Sequence, residues 1–295
     1  MQMHDRLRRV VATVGAVALA ASPLLLAPAG ASASTSREAA PSLSRAAMPH
    51  ISATLTKKAL RLKGTDGLRA GRVRLSVTGR GTVELAMFDK GYDAQDFAAD
   101  VNKFGAKQDI KALKHALAHT QILGGLAGGD SGTVVLPRAG SYTPFSLGGR
   151  GVVIGKSFTV REPVRTTRAP RTDGTIIATT GPSWAGSSQL PAKGRFTFKN
   201  KRTTGVPHFV ILQQVAEGTT TDQVLQFLQT DDGSSQPPWG LPAGMETGSL
   251  SPGHSMTVDY DLPPGQYVVM CFFPDPKMGG MPHALMGMLE MIHLT

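Results

Sequence analysis

Cysteine is almost absent from this sequence, which has one, Cys271, in 295 residues. A single cysteine excludes an internal disulfide framework and any metal cluster built from several thiolates. Charged residues are also few, at 18%, whereas hydrophobic residues make up 41%, a balance typical of a globular chain rather than a disordered one. At roughly 100–200 residues per domain, a chain of this length is expected to form two domains.

Long apolar runs are missing everywhere except near the N-terminus. There, three arginines within the first nine residues precede an almost wholly apolar segment that ends at Ala29, and Ala31-Ser32-Ala33 follows. This order predicts a secretory signal peptide over residues 1–33, cleaved near Ala33, and then a flexible N-terminus over residues 34–50. An uncleaved membrane anchor is the alternative, which the proline inside the apolar segment disfavours. We therefore expect an exported protein with no membrane span after cleavage.

Positive charge exceeds negative charge, but it is not concentrated. Loss of residues 1–33 would remove three arginines and one aspartate, so the net charge would fall from +10 to +8. Several of the remaining arginines lie in a Pro/Thr-rich stretch, 161–173, which is typical of an exposed linker. Dense basic runs interleaved with aromatic residues are absent, so nucleic acid is not an expected partner.

Short alternating segments separated by Pro/Gly turns indicate strands after the linker. They include 194–199, 209–212, 256–260 and 289–294, while 266–272 places Tyr267, Val269 and Cys271 on one face and Val268 and Met270 on the other. A single helix, capped by Thr221 or Asp222, interrupts them. This pattern predicts an all-β sandwich over 174–295.

The first half of the chain repeats this order. Segments 72–77 and 83–88 are strand-like, and Asp93 caps a helix that carries Phe97, Val101 and Phe104 on one side. Segment 139–146 parallels 264–271, and 155–160 parallels 287–292. These parallels predict a second copy of the sandwich over 51–160, joined by the linker 161–173 and carrying an extra helical insert, 110–122.

Four residues with metal-binding side chains follow one another in the second copy. His208 lies in Gly205-Val206-Pro207-His208-Phe209, Cys271 ends a strand, and His283 is followed five positions later by Met288. This order resembles the cupredoxins, the plastocyanin- and azurin-like blue-copper domains, and especially the two-domain type of secreted bacterial proteins. The resemblance implies two tandem cupredoxin-like Greek-key β-sandwiches with helical insertions. It also implies that the second sandwich binds one copper ion.

The chemistry of this donor set agrees with that resemblance. Two imidazoles and one thiolate in a plane, with a weak axial thioether, suit an ion that alternates between Cu(I) and Cu(II). The predicted ligands are His208, Cys271, His283 and axial Met288, with Met286 as the alternative axial ligand. The predicted function is one-electron transfer, with a redox or copper-donor protein of unknown identity as partner.

Two alternatives stay open at this point. Methionines crowd into the last part of the chain, and thioethers favour Cu(I), which would suit copper trafficking or sequestration. A lone cysteine on a strand is also commonly a small buried hydrophobe, which would suit a copper-free interaction or structural module on the same fold. Eleven residues separate Cys271 from His283, and this long insert could hold the histidine away from the thiol.

The first copy is predicted to lack ligands. The alignment of the halves pairs Cys271 with Ser146, Met288 with Lys156, His208 with Gly81 and His283 with Gly151. None of the eight histidines forms a His-x-His pair of the kind that multicopper oxidases need, so a carrier or binding protein is favoured over an enzyme.

One histidine pair lies outside this pattern. His115 and His119 have a spacing that can clasp a metal, but without a predicted carboxylate nearby a solvated helix face is the favoured interpretation.

Overall fold

The computed structural model describes residues 47–57, 59–148, 151–165, 167–230 and 236–295. The predicted signal peptide and residues 34–46 of the predicted N-terminal segment lie outside these ranges. The described part contains twenty strands and three α-helices, so the prediction of an all-β chain with helical insertions is confirmed. No described helix combines the length and the apolar character needed to cross a membrane.

The first half of the chain contributes nine strands and two helices. They are β1 (His50–Leu55), β2 (Leu60–Lys63), β3 (Arg69–Gly79), β4 (Thr82–Phe88), α1 (Ala94–Lys107), α2 (Ile110–His119), β5 (Thr120–Ala127), β6 (Ser131–Leu136), β7 (Gly140–Gly148), β8 (Gly151–Ile154) and β9 (Phe158–Arg165). Strand β9 therefore includes the first five residues of the predicted linker.

The second half contributes eleven strands and one helix. They are β10 (Gly174–Thr179), β11 (Ser183–Gly186), β12 (Gln189–Leu190), β13 (Lys193–Asn200), β14 (Ile211–Val215), α3 (Thr221–Thr230), β15 (Gly240–Glu246), β16 (Ser255–Asp261), β17 (Gly265–Met270), β18 (Pro274–Asp275), β19 (Met281–Pro282) and β20 (Leu289–Leu294). Short 3-10 helices cover Arg202–Thr204 and His283–Met286.

Each half forms two sheet layers that face each other across a core. In the second half one layer has the order β11-β10-β13-β16 and the other β12-β20-β17-β14-β15. In the first half the corresponding layers contain β2-β1-β3-β6 and β5-β4-β7 with β8, and β9 pairs with both β3 and β7 at one side of the sandwich. The chain crosses between layers, so neighbours such as β14 and β17 are distant in sequence, as in a Greek key. The predicted tandem sandwiches are confirmed.

Strand register shows how closely the halves match. In β7 and β17, Tyr142 and Tyr267 occupy equivalent places, and each hydroxyl donates a hydrogen bond to a carbonyl four residues upstream, 2.6 Å from Arg138 O and 2.8 Å from Pro263 O. Each strand begins at a glycine with positive φ, Gly140 and Gly265. The shared details support the predicted internal repeat.

Alternation along β17 decides which side chains enter the sandwich. Tyr267, Val269 and Cys271 belong to the large central core, whereas Val268 and Met270 belong to a separate cluster on the outer face. Because successive side chains of a strand point to opposite faces, this division follows directly from the sequence pattern. Cys271, one residue beyond β17, therefore enters the core from the end of a strand.

The helices cover the outer faces. Asp93 caps α1, as predicted, and the structure adds a capping box with Asp96. Phe97 of α1 packs with Phe145 of β7. Two sequence predictions are wrong here. Helix α2 ends at His119 because 120–127 pairs with β4 as strand β5. The cap of α3 is Thr220, since its hydroxyl accepts from the backbone N–H of Gln223 and Gln223 Oε1 accepts from Thr220 N.

The two halves share a continuous sheet. Strand β6 pairs antiparallel with β16, with Thr133 opposite Thr257. Next to this seam, Asp259 accepts hydrogen bonds from Ser131 and Arg74, both 2.8 Å away, and pairs with Arg195. Backbone hydrogen bonds and a charge network from both halves thus fix their relative position.

Buried carboxyls also lie where the halves meet. Glu84 of β4 is 4% exposed and hydrogen-bonded to Ser249, while its Oε2 has no partner among the described residues. Burial, with a smaller contribution from Glu246, raises the pKa of Glu84 to about 8. Burial likewise raises the pKa of Glu246, which accepts a hydrogen bond from Thr82, and raises that of Asp130 to about 7. Glu84 and Asp130 are therefore protonated in the folded chain at mildly acidic pH.

Stability should therefore fall as the pH rises. Because the pKa of Glu84 is higher in the folded chain than in the unfolded one, its contribution is fully present below about pH 4.5 and is lost as the pH rises to about 8. We expect Glu84→Gln to flatten this decline by up to about 1.4 kcal/mol per pH unit. Urea unfolding at a series of pH values measures it, with exposed Glu290→Gln as the control. Equal slopes for wild type and Glu84→Gln would contradict the assignment.

Candidate metal centre

Three predicted ligands meet inside the second sandwich. Cys271 Sγ lies 3.6 Å from His208 Nδ1 and 3.7 Å from His283 Nδ1, and the imidazole centres are 4.5 Å apart. All three residues are at most 1% exposed. Across the described ranges, no other group of three His, Cys, Asp or Glu residues has its donor atoms within 4.8 Å of one another.

The long insert after Cys271 does not hold His283 away. Strands β18 and β19 pair with each other, so the insert leaves and returns as a narrow ribbon. Two backbone hydrogen bonds then join the ribbon to the end of β17: Ala284 N donates to Cys271 O at 2.7 Å, and His283 N donates to Phe273 O at 3.1 Å. The imidazole is thereby held beside the thiol.

His208 is positioned by a segment that the sequence did not single out. Its backbone exchanges two hydrogen bonds with Leu250, at 3.2 and 2.8 Å. The buried amide of Asn200 donates to Val206 O at 2.9 Å and to Leu250 O at 2.7 Å, so one side chain joins the two strands of this contact. Asparagine offers two donors, and here both are used.

The first half supports the same segment from behind. Leu250 forms a β-bridge with Leu123 of β5, and Ser251 exchanges hydrogen bonds with Ile122 through its backbone N–H and its hydroxyl. Segment 247–251 is therefore held between β5 and the residues around His208. The first sandwich forms part of the wall behind this ligand.

Burial keeps the three donors uncharged in the absence of a cation. It raises the pKa of the Cys271 thiol to about 12, although backbone N–H groups of Phe209 and Phe273 oppose this. Burial, reinforced by His283, lowers the pKa of His208 to about 3. Burial also lowers the pKa of His283, against the attraction of Asp275, whose Oδ2 lies 3.7 Å from Nε2. Both imidazoles are neutral at pH 7, so their lone pairs are free to bind a metal.

The methionines divide by position. Met288 is fully buried in the same core as Cys271, its N–H donates to His283 O at 3.0 Å, and its carbonyl accepts from Trp184 Nε1 at 3.2 Å. Met286, by contrast, is partly exposed. Burial beside His283 favours Met288 over Met286 as an axial ligand, an assignment that stays a prediction.

The first sandwich shows the corresponding place without these side chains. Pairing of Ile211 with Met270 and of Glu84 with Phe145 makes His208 equivalent to Gly81 and Cys271 to Ser146, as aligned. A β-carbon on Gly81 would lie 3.7 Å from Ser146 Oγ, so the two positions also adjoin here.

The alignment of Met288 with Lys156 is wrong. Tyr142 pairs with Phe158 and Tyr267 with Ile292, which shifts the aligned segments by two residues. Closer to the ligand, Phe145 pairs with Ile154 as Met270 pairs with Leu289, which makes Val153 the equivalent of Met288. The two-residue shift keeps the alternation of the strand, so the sequence pattern did not reveal it. Lys156 is exposed, and Gly151, which was aligned with His283, begins β8 instead of a ligand loop.

The donor set fits a single metal ion. With metal–sulfur distances of about 2.3 Å and metal–nitrogen distances of about 2.0–2.1 Å, as for zinc, the bound atoms lie about 3.5–3.8 Å apart for bond angles between tetrahedral and trigonal. The observed 3.6 and 3.7 Å agree. Thiolate with imidazole suits zinc or copper, and a buried thioether favours copper because soft sulfur ligands select Cu(I).

Comparison with known proteins gives structural matches only. No protein-family model and no curated protein matches this chain. Auracyanin B is 26% identical, covering 41% of this chain and 86% of its own length, with a TM-score of 0.28. Auracyanin A from Chloroflexus aurantiacus, described as a blue copper protein, is 14% identical, and the match covers 41% of this chain and 96% of auracyanin A, with a TM-score of 0.25. A multi-copper oxidase from Pediococcus acidilactici is 9% identical, and the match covers 84% of this chain and 59% of the oxidase, with a TM-score of 0.23.

Each of these TM-scores is below 0.5, so the matches by themselves assign no function to this chain.

Asn200 provides a test of how His208 is held. Asn200→Asp keeps the side-chain shape but replaces two N–H donors with a carboxylate facing two carbonyls. We expect a loss of about 2–4 kcal/mol in the free energy of unfolding of the metal-free protein. Urea unfolding measures it, and Asn102→Asp on the exposed face of α1 is the matched control. A change below about 0.5 kcal/mol, the range typical of surface substitutions, would contradict the role assigned to Asn200.

Proposed function

We propose that this protein binds one copper ion through His208, Cys271 and His283, with Met288 as the weak axial ligand, and carries single electrons outside the cell. The observation that carries the proposal is the convergence of one thiol and two Nδ1 atoms, all buried, at 3.6 and 3.7 Å. Bound copper would supply a one-electron couple between Cu(I) and Cu(II).

The chain's own residues would keep the ligands in place in both oxidation states. His283 is fixed by the β18–β19 ribbon, His208 by Leu250 and Asn200, and Cys271 by the end of β17. The N–H of Phe273 lies 3.5 Å from Cys271 Sγ and would stabilise the thiolate once a metal has displaced the proton. Rigid ligands need little rearrangement when an electron arrives or leaves.

Asp275 would act from outside the ligand set. Its carboxylate faces Nε2 of His283, the nitrogen that is not directed at the thiol. Histidines that bind metals commonly donate their other N–H to a carboxylate, which fixes the tautomer and raises the basicity of the ring. Asp275 lies in the insert between the ligands, so that segment would contribute to the site.

Export and the domain division belong to the same proposal. The signal-like N-terminus supports a secreted protein, and the repeated strand order supports domains at 51–160, without ligands, and 174–295, with the copper site. The electron or copper partner would be another protein of that compartment.

Exposed methionines favour a second candidate function. Met278 and Met281, in the insert between Cys271 and His283, are 52% and 37% exposed, unlike the buried Met270 and Met288. Thioethers at the surface of the ligand loop would suit capture of Cu(I). This alternative is copper trafficking or sequestration through the same centre.

Copper titration tests the proposal. We expect one equivalent of Cu(II) to produce an intense visible thiolate-to-copper absorption that Cys271→Ser abolishes and His293→Asn, an exposed histidine outside the centre, leaves unchanged. Tight binding of Cu(I) without colour on adding Cu(II) would favour trafficking instead. The absence of any copper bound at this centre would overturn both and leave a copper-free interaction or structural module.

The axial assignment has its own test. Softness makes a thioether a good ligand for Cu(I), but Cu(I) is already satisfied by the three stronger ligands, whereas Cu(II) gains more from a weak fourth donor. The axial ligand therefore tunes the potential, and Met288→Leu should raise the reduction potential while the colour persists. A tenfold relative loss of Cu(II) affinity corresponds to about 59 mV. Met286→Leu is the matched control, and redox titration of both variants gives the answer. A shift with Met286→Leu alone would transfer the axial role to that residue.

A further inference from the structure

Helix α2 carries two histidines whose surroundings differ from those expected. His115 and His119 are one turn apart, and their ring centres lie 4.8 Å from each other. The sequence suggested no carboxylate nearby, but folding brings one to each ring. Asp100 Oδ2 lies 2.7 Å from His115 Nδ1, and Asp89 Oδ2 lies 3.4 Å from His119 Nδ1.

These carboxylates determine which ring nitrogen is free. A carboxylate accepts hydrogen bonds, so its partner Nδ1 carries the proton and Nε2 keeps its lone pair. Asp100 is itself held in place, since the hydroxyl of buried Tyr92 donates to the same oxygen at 2.9 Å. In both histidines the carboxylate contacts Nδ1, so Nε2 remains available to bind a metal.

The rings are supported on one side and open on the other. Tyr92 packs against both imidazoles, with ring centres 5.3 and 5.2 Å away. The side chains of His115 and His119 nevertheless remain 56% and 40% exposed. An ion in solution can reach this pair, unlike the buried His208 and His283.

We propose that His115 and His119 form a second, solvent-exposed site for a divalent transition metal, bound through Nε2 of each ring, with Asp100 and Asp89 as positioning residues. When two imidazoles bind one ion with metal–nitrogen distances of about 2.0–2.1 Å and a nitrogen–metal–nitrogen angle near 90°, their ring centres lie about 4.5 Å apart. The observed 4.8 Å is close to this value. Among the biological divalent ions, Cu(II) binds such nitrogen pairs most tightly, so it should bind more tightly than Zn(II).

The carboxylates distinguish a built site from two histidines that happen to be neighbours. A partner on the far ring nitrogen typically contributes 10–100-fold to metal affinity. An incidental pair would not depend on Asp100. The proposal does not depend on copper at the buried centre, because the two sites share no residue.

Cu(II) calorimetry on the full chain carrying Cys271→Ser tests the site, since this background lacks the thiolate centre. Adding His119→Asn should remove one equivalent of bound Cu(II). His115→Asn should do the same, so the test still holds if one of the two substitutions disturbs the helix. Adding Asp100→Asn should weaken that equivalent 10–100-fold, with an unchanged unfolding temperature as the check on folding. His293→Asn is the matched control.

Two outcomes would overturn the proposal. One is an unchanged Cu(II) stoichiometry in both histidine variants. The other is an unchanged affinity in Asp100→Asn, which would identify an incidental pair of surface histidines. In the otherwise wild-type chain, the visible thiolate-to-copper absorption should survive His119→Asn, so failure here is distinguishable from failure of the buried centre.

Discussion

The structure depends on one constraint: a thiol and two imidazoles are withdrawn from water together. Burial holds the pKa of Cys271 far above neutrality and that of His208 far below it, so the folded, metal-free centre is uncharged. Uncharged donors can be buried at moderate cost, whereas a thiolate needs a cation beside it. The surrounding contacts keep this arrangement in place: the β18–β19 ribbon, the Asn200 amide and the pairing with Leu250.

Much of this centre was predictable because the pattern is local. Alternation along 266–272 places Cys271 on the inner face, and strand β20 was predicted at 289–294. The support of His208 was not predictable. Asn200 acts through the carbonyls of residues 206 and 250, and no spacing in the sequence signals the second of these contacts, which spans 50 positions. The carboxylates beside His115 and His119 were not predictable either, because they also come from other parts of the chain.

The misaligned residue shows where repeat comparison loses accuracy. Strand positions recur every second residue, so a shift of two between 155–160 and 287–292 leaves the hydrophobic pattern intact. Only hydrogen-bond register, through Tyr142 and Tyr267, fixes the correspondence. Small residues, Gly81 and Ser146, stand where the second half has an imidazole and a thiol. In the first half the Leu55 side chain reaches this place, because its Cδ2 would lie 3.2 Å from a β-carbon on Gly81.

The pairing of β6 with β16 also affects how the protein associates with other chains. A strand at the rim of a sheet exposes unpaired N–H and C=O groups, and such edges recruit other chains. In this protein each half covers the rim of the other, strand against strand. Proteolytic separation in the linker would uncover two complementary edges at once, so the separated halves would have a template for re-association or for aggregation. The fused sheet thus also keeps these two edges from pairing with other chains.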